Sequence, residues 1–255
     1  MNTPWIFRLA PRLNPKLRLV CFPHAGRGPS MFNQWTRDLP AAIEVCAVHL
    51  PGRESRLREP RIEAMSELAQ KLVEAIDSSQ IHGAFAIYGH SIGALTAFEF
   101  TRELRRRGKP LPVHLFVSGH RAPQCPPLPL IYQLDDREFL AKLTSRYGEI
   151  PALVRADPDV LSFFLRIVRS DVQLMDTYCY REEPALAIPI AAYGGNRDAT
   201  LPDSMLEAWQ KHTSSDFHLR MFEGGHFFPD AIRPQLLHAI MDDLGELAND
   251  SSRPS

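Results

Sequence analysis

No run of eighteen apolar residues occurs in the 255-residue chain, so no segment qualifies as a membrane-spanning helix. Charge of one sign is also missing. Twenty-nine Lys and Arg offset thirty Asp and Glu for a net charge of −1, which leaves no overall field to draw in nucleic acid or an anionic membrane. The opening "MNTPWIFRLAPRLNPK" lacks the apolar core of a signal peptide. Cysteine is sparse. Cys21, Cys46, Cys125 and Cys179 form no C-x-x-C pair, and the first two fall inside apolar runs. They read as reduced, mostly buried thiols, which points to the cytoplasm. The ten histidines form neither H-x-H nor H-E-x-x-H, so no metal is expected. Both glycine-rich phosphate signatures, G-x-x-x-x-G-K-[ST] and G-x-G-x-x-G, are absent too, and no cofactor is expected.

What remains is an ordinary globular composition at a length that suits one large domain, residues 1–255. Short apolar runs predict strands at Leu17–Phe22, Ile43–Leu50, Ala84–Tyr88, Val113–Gly119, Ile188–Gly195 and Phe217–Gly224. Helical periods fall between most of them. Met65, Leu68, Ala69, Leu72, Val73 and Ile76 share one face, and a helix from Ile92 stops at Gly108. The last helix is expected from about Asp230 to Leu247. Strands alternating with helices imply an α/β fold with a mostly parallel sheet covered on both faces. Residues from about 121 to 184 break the alternation. A proline-rich "APQCPPLPL" is followed by two helical patterns, with Asp135 and Asp157 as caps. This insertion is expected to lie over the strand ends as a helical lid, or else to be a plain packing subdomain. The tail "NDSSRPS" reads as frayed.

One short stretch carries chemistry. "YGHSIG" places Ser91 between a strand and a helix, with Gly89 and Gly93 leaving room for the two to cross. This G-x-S-x-G turn is the nucleophile elbow of α/β-hydrolases. A serine hydroxyl needs a base. "FEGGHFFPD" supplies His226 on a loop after the last strand candidate. The base needs an acid to fix its tautomer. Asp198 follows the strand Ile188–Gly195 and completes the order Ser, Asp, His; Asp171, Asp176 and Asp203 are its rivals. Backbone N–H groups of Ile92, at the helix start, and of Ala25, in the loop "FPHAGRGPSMF", are assigned as oxyanion donors.

Together "CFPHAGRGPSMFNQW", "LPGRESRL", "YGHSIGALTAFE", "GHRAP" and "GGNRDATLPDSMLEAWQ…GGHFF" resemble the type II thioesterases, stand-alone enzymes that accompany nonribosomal peptide and polyketide synthases. The likeness spans about residues 17–240. It implies the α/β-hydrolase fold and hydrolysis of acyl groups from the phosphopantetheine arm of an acyl- or peptidyl-carrier protein. Nucleophile, acid and base fall on Ser91, Asp198 and His226, and the oxyanion donors on Ala25 and Ile92. The chain departs from the family pattern at Arg27, where a small residue is usual, and at "RYGEIP", where Gly-Gly is common. A monomer is expected. Phe163, Phe164 and Met175 are candidates for the acyl pocket or are plain core. Arg53, Arg56, Arg58 and Arg61 are candidates for carrier docking or are solvated surface. A second cluster, Arg102, Arg105, Arg106, Arg107 and Lys109, lies about three helical turns from Ser91, too far for a pantetheine arm. A fatty-acid-synthase thioesterase or a general carboxylesterase would use the same triad. A non-catalytic carrier-binding module would not need it.

Overall fold

A computed structural model describes residues 5–78, 83–148 and 150–248. Seven strands form one sheet: β1 (Ile6–Arg8), β2 (Leu17–Phe22), β3 (Ile43–Val48), β4 (Phe85–His90), β5 (Leu115–Ser118), β6 (Ile190–Gly195) and β7 (Phe217–Phe222). Their spatial order is β1-β3-β2-β4-β5-β6-β7. Every pairing is parallel except that of β1 with β3, where Ile6 faces Val48. Nine α-helices are described: α1 (Trp35–Asp38), α2 (Met65–Ser78), α3 (Ile92–Arg106), α4 (Asp136–Tyr147), α5 (Ala152–Arg155), α6 (Pro158–Asp176), α7 (Asp203–Glu207), α8 (Phe228–Ala231) and α9 (Arg233–Leu244).

The strand period of two sorts side chains onto two cores. On β2, Val20 and Phe22 join Leu68, Leu95 and Phe98 of α2 and α3, while Leu19 and Cys21 join Trp35, Leu236 and Ile240 of α1 and α9. Both faces are therefore dry, which explains why these strands read as mostly apolar runs. Three-residue β1 was too short to show in the sequence. The expected last helix is divided: Pro234 stands in the first turn of α9, and α8 precedes it as a separate turn. The tail "NDSSRPS" lies outside the described residues.

Between β5 and β6, α4 and α6 pack around a small core of Ile131, Phe139, Leu143, Leu165, Val168 and Val172, with α5 outside it. The Asp135 carboxylate accepts from Glu138 N–H at 2.8 Å, and Asp157 accepts from Asp159 and Val160 N–H, so both predicted caps form. Ala25 and Phe164 tie this core to the loop after β2.

Candidate active site

Strand β4 ends at His90 and α3 starts at Ile92, so a single residue makes the turn. That residue, Ser91, has φ +56° and ψ −126°, strained for a side chain with a Cβ. The elbow holds because strand and helix nearly touch. A Cβ on Gly89 would lie 2.2 Å from Gly93 O, and one on Gly93 would lie 2.4 Å from Phe22 O. Ser91 N–H donates to Ser118 O at 2.8 Å, anchoring the turn to β5.

His226 follows β7 and Asp198 follows β6, so both arrive at the same edge of the sheet as Ser91. Ser91 Oγ and His226 Nε2 are 3.0 Å apart, and His226 Nδ1 and Asp198 Oδ2 are 2.7 Å apart. With Nδ1–H donating to the carboxylate, Nε2 is free to accept the serine proton. The other carboxylate oxygen of Asp198 accepts from Thr200 N–H at 3.0 Å and Thr200 Oγ1–H at 2.8 Å. Burial alone would raise the Asp198 pKa, but the His226 bond and the Thr200 bonds outweigh it and hold the carboxyl below its usual range. All three residues are buried.

The rivals to Asp198 are occupied elsewhere. Asp203 opens α7; Asp176 accepts from Ile131 and Tyr132 N–H; Asp171 pairs with Arg53.

Three more histidines gather around His226. His90 lies 5.2 Å from its ring, and His24 lies 5.9 Å from that of His90. Burial pushes His24 down to about 4, His120 down to about 3, and His90 well below the ordinary imidazole value. All three are neutral at pH 7, so they add no charge beside the base. In the sequence His24 and His90 do no more than flank likely site loops, and nothing there singles out His120.

A cavity of about 340 Å³ opens from Ser91. Its floor is the loop His24–Arg27 with Ile92 and His226; its roof is the insertion, through Leu143, Val154, Phe164, Val172 and Met175. Ala25 and Ile92 thus share one cavity with the nucleophile. Phe164 and Met175 line it. Phe163 does not: it is 37% exposed, with the Arg166 guanidinium 5.9 Å from its ring. Helical spacing turns neighbouring residues about 100° apart, so two adjacent phenylalanines cannot both face the cavity.

The basic clusters also change meaning. Arg53 is buried in a two-pronged pair with Asp171. Arg56 is buried too: it donates to His49 O and Glu59 and lies 4.3 Å over the Trp5 ring. Neither presents charge to a partner. Arg58 is exposed, and Arg61 is half-buried with a bond to Arg166 O at 3.0 Å. The second cluster is a structural network: Arg102, Arg105 and Arg106 all pair with Glu183, and Arg107 pairs with Glu103.

Among the described residues no group of three or more His, Cys, Asp or Glu is placed to hold a metal, and no helix is long and apolar enough to cross a membrane. A serine hydrolase of the α/β-hydrolase fold is what this edge of the sheet builds. A family model for the thioesterase domain matches residues 17–244. The chain belongs to the thioesterase family. This thioesterase is 38% identical over 240 residues to the thioesterase PikA5 of Streptomyces venezuelae, covering 94% of this chain and 85% of that protein. It is 39% identical over 214 residues to the gramicidin S biosynthesis protein GrsT of Aneurinibacillus migulanus, covering 84% and 83%. The solved structure of BorB, a type II thioesterase from the borrelidin biosynthetic cluster, superposes with a TM-score of 0.85 at 30% identity, covering 96% and 99%. The resemblance to type II thioesterases read from the motifs therefore holds.

Proposed function

We propose that this thioesterase hydrolyses acyl groups from the phosphopantetheine arm of acyl- or peptidyl-carrier proteins, clearing stalled or misprimed modules of a nonribosomal peptide or polyketide synthase. The observation that carries this reading is the Ser91–His226–Asp198 relay opening into an apolar cavity under a helical roof. The acyl chain lies in that cavity. Ser91 Oγ gives its proton to His226 Nε2 and attacks the thioester carbonyl. The N–H groups of Ala25 and Ile92 stabilise the tetrahedral oxyanion; Ile92 is the first residue of α3, where N–H groups have no intrahelical acceptor. The C–S bond then breaks, and the pantetheine thiolate leaves with the proton from His226. His226 next takes a proton from water, whose oxygen attacks the acyl-serine, and gives that proton to Ser91 Oγ as the free acid leaves. The thiolate is a good leaving group, so no metal is needed.

The chain works as one domain, with the insertion at about 121–184 as its lid. We place it, as a monomer, in the cytoplasm; its four cysteines are unpaired. The carrier protein approaches over the loop after β3, where Arg58 and Arg61 remain to meet acidic residues.

The deciding experiment compares three substrates bearing one acyl group: an acyl-carrier protein, a small acyl-pantetheine thioester and a simple ester. The carrier-bound substrate is expected to have the highest kcat/KM. Equal rates on the ester would make this protein a general carboxylesterase. Full activity in folded Ala25→Pro protein would remove Ala25 from the oxyanion hole.

A further inference from the structure

A buried ion pair ties the insertion to the loop after β3. Asp171 of α6 is 1% exposed and Arg53, after β3, is 4% exposed. Arg53 Nη2 donates to Asp171 Oδ1 at 2.7 Å, and Nη1 to Oδ2 at 2.9 Å. Two fully enclosed charges are costly unless they do something further, since an apolar pair often serves stability as well. Both partners also grip the loop after β2. Gly26 N–H donates to Asp171 Oδ2 at 2.7 Å, and Arg53 Nη1 donates to Arg27 O at 3.3 Å.

That loop is a tight turn. Arg27 N–H donates to His24 O at 3.1 Å. In a trans peptide the N–H points opposite to the C=O of the same unit. The unit whose C=O is engaged by Arg27 is the one that carries the Ala25 N–H. Holding the turn therefore aims that N–H away from it. The next unit is fixed at both ends: His24 Nδ1 reaches Ala25 O at 3.0 Å, and Asp171 takes the Gly26 N–H. Gly26 has φ +79°, and a Cβ there would lie 2.8 Å from Val168 Cγ2 of the same lid helix. The lid thus presses on this turn as well as bonding to it.

We propose that Asp171 and Arg53 are positioning residues that preorganise the oxyanion hole. The lid helix supplies, from 145 residues away in sequence, the carboxylate that sets the Ala25 N–H. Catalytic power then depends on the lid being docked: an α6 that lifts takes the acceptor of Gly26 with it. This inference rests on the oxyanion role of Ala25.

The test uses three variants of the full chain. Single removal of either charge strands the other, so the first variant is the apolar exchange Arg53→Met with Asp171→Leu, which keeps the site dry. The second is the near-isosteric Asp171→Asn. The third is Ala25→Pro. Each is assayed for kcat and KM on a small acyl-pantetheine thioester, for thermal unfolding, and for inhibition by an alkyl boronic acid, whose adduct with Ser91 mimics the oxyanion. A lost donor costs about 10²–10³ in kcat, so a donor that is only misaimed should cost about tenfold or more. We expect the apolar exchange and Asp171→Asn to lower kcat and boronate affinity together by that amount, with KM changed less than about threefold. Unfolding temperature should not track the loss. A lid that merely covers substrate would instead raise KM and leave boronate affinity intact, and that result overturns the proposal. If Ala25→Pro weakens boronate binding while the other two folded variants do not, the oxyanion reading survives and the brace falls. If Ala25→Pro binds boronate normally, the oxyanion reading itself falls.

Discussion

The sheet and the insertion meet across one cavity, yet they are built to different standards. Strands β2 to β6 are almost wholly buried on both faces, and every triad residue hangs from a strand end. The insertion closes on six buried apolar side chains, leaves Leu153 88% exposed and buries no residue of α5. Much of its attachment is polar: Arg53 to Asp171, Gly26 N–H to Asp171, and Arg61 to Arg166 O. A segment with few apolar contacts opens at low free-energy cost. The triad therefore stands on the well-buried half, and the cavity beside it is roofed by the half with the thinner core.

The sharpest break is on the sheet side. Ser91→Ala should lower kcat by about 10⁶, as removal of the nucleophile does in serine proteases, with the fold intact. A fluorophosphonate should label wild type and leave this variant unlabelled; turnover near wild type would sink the mechanism. Asp198→Asn comes next. It keeps the geometry but favours the wrong imidazole tautomer, a change worth about 10⁴ in kcat in a protease triad. The loss should be somewhat smaller here, because a thiolate leaves with little acid help. If Asp176→Asn is the more damaging change, the acid is misassigned.

The same division decided what the sequence could tell. The triad was legible because a strand-to-helix elbow and two strand-end loops leave local marks: Gly89 and Gly93 beside Ser91, Gly224 and Gly225 before His226. The parallel sheet was legible because strands buried on both faces read as apolar runs. Charge was not. Arg53 and Arg56 look like surface in the sequence, and only the fold brings Asp171, distant by 118 residues, against Arg53. Phe163 failed for a related reason, since composition says nothing about which of two neighbours turns inward.

A change in the cavity roof away from Asp171 should alter selectivity and spare the chemistry. Val154 on α5 lines the cavity but is not part of the lid's buried core. Val154→Phe should reduce kcat/KM for longer acyl chains relative to acetyl by about 10–100-fold, since a methylene in an apolar pocket is worth that much. Unfolding temperature should stay constant. A uniform loss across chain lengths would place the acyl group elsewhere.

Acid should weaken the sheet rather than the lid. No histidine lies between residues 121 and 184, whereas His114 at the start of β5 is buried and stacked 4.2 Å from Phe116. Burial lowers its pKa to about 4, partly offset by the charge of Asp243. Between the unfolded value near 6.5 and about 4, the unfolded chain binds a proton that the folded chain refuses. This part of the stability is thus complete above about pH 6.5 and falls with pH by on the order of 1.4 kcal/mol per unit down to about 4. Urea unfolding of His114→Gln at pH 7 and pH 5 should show a shallower loss than wild type, and parallel losses would exclude this contribution.

The smallest effect separates the two kinds of arginine in one loop. Arg56 is enclosed by Trp5, Glu59 and the His49 carbonyl, so Arg56→Glu should lower the unfolding temperature whatever substrate is used. Arg58 stands in solvent two residues later. An exposed charge contributes less than about 1 kcal/mol to any one contact, and at physiological salt its reach is about 8 Å. Arg58→Glu should therefore raise KM for an acyl-carrier protein by about threefold at low salt and almost vanish as an effect at high salt, mainly through a slower association rate. Hydrolysis of the small thioester, which makes no surface contact, should not change. An equal loss on both substrates would mean that the loop supports the active site and does not receive the carrier, and the partner would then have to approach over the lid.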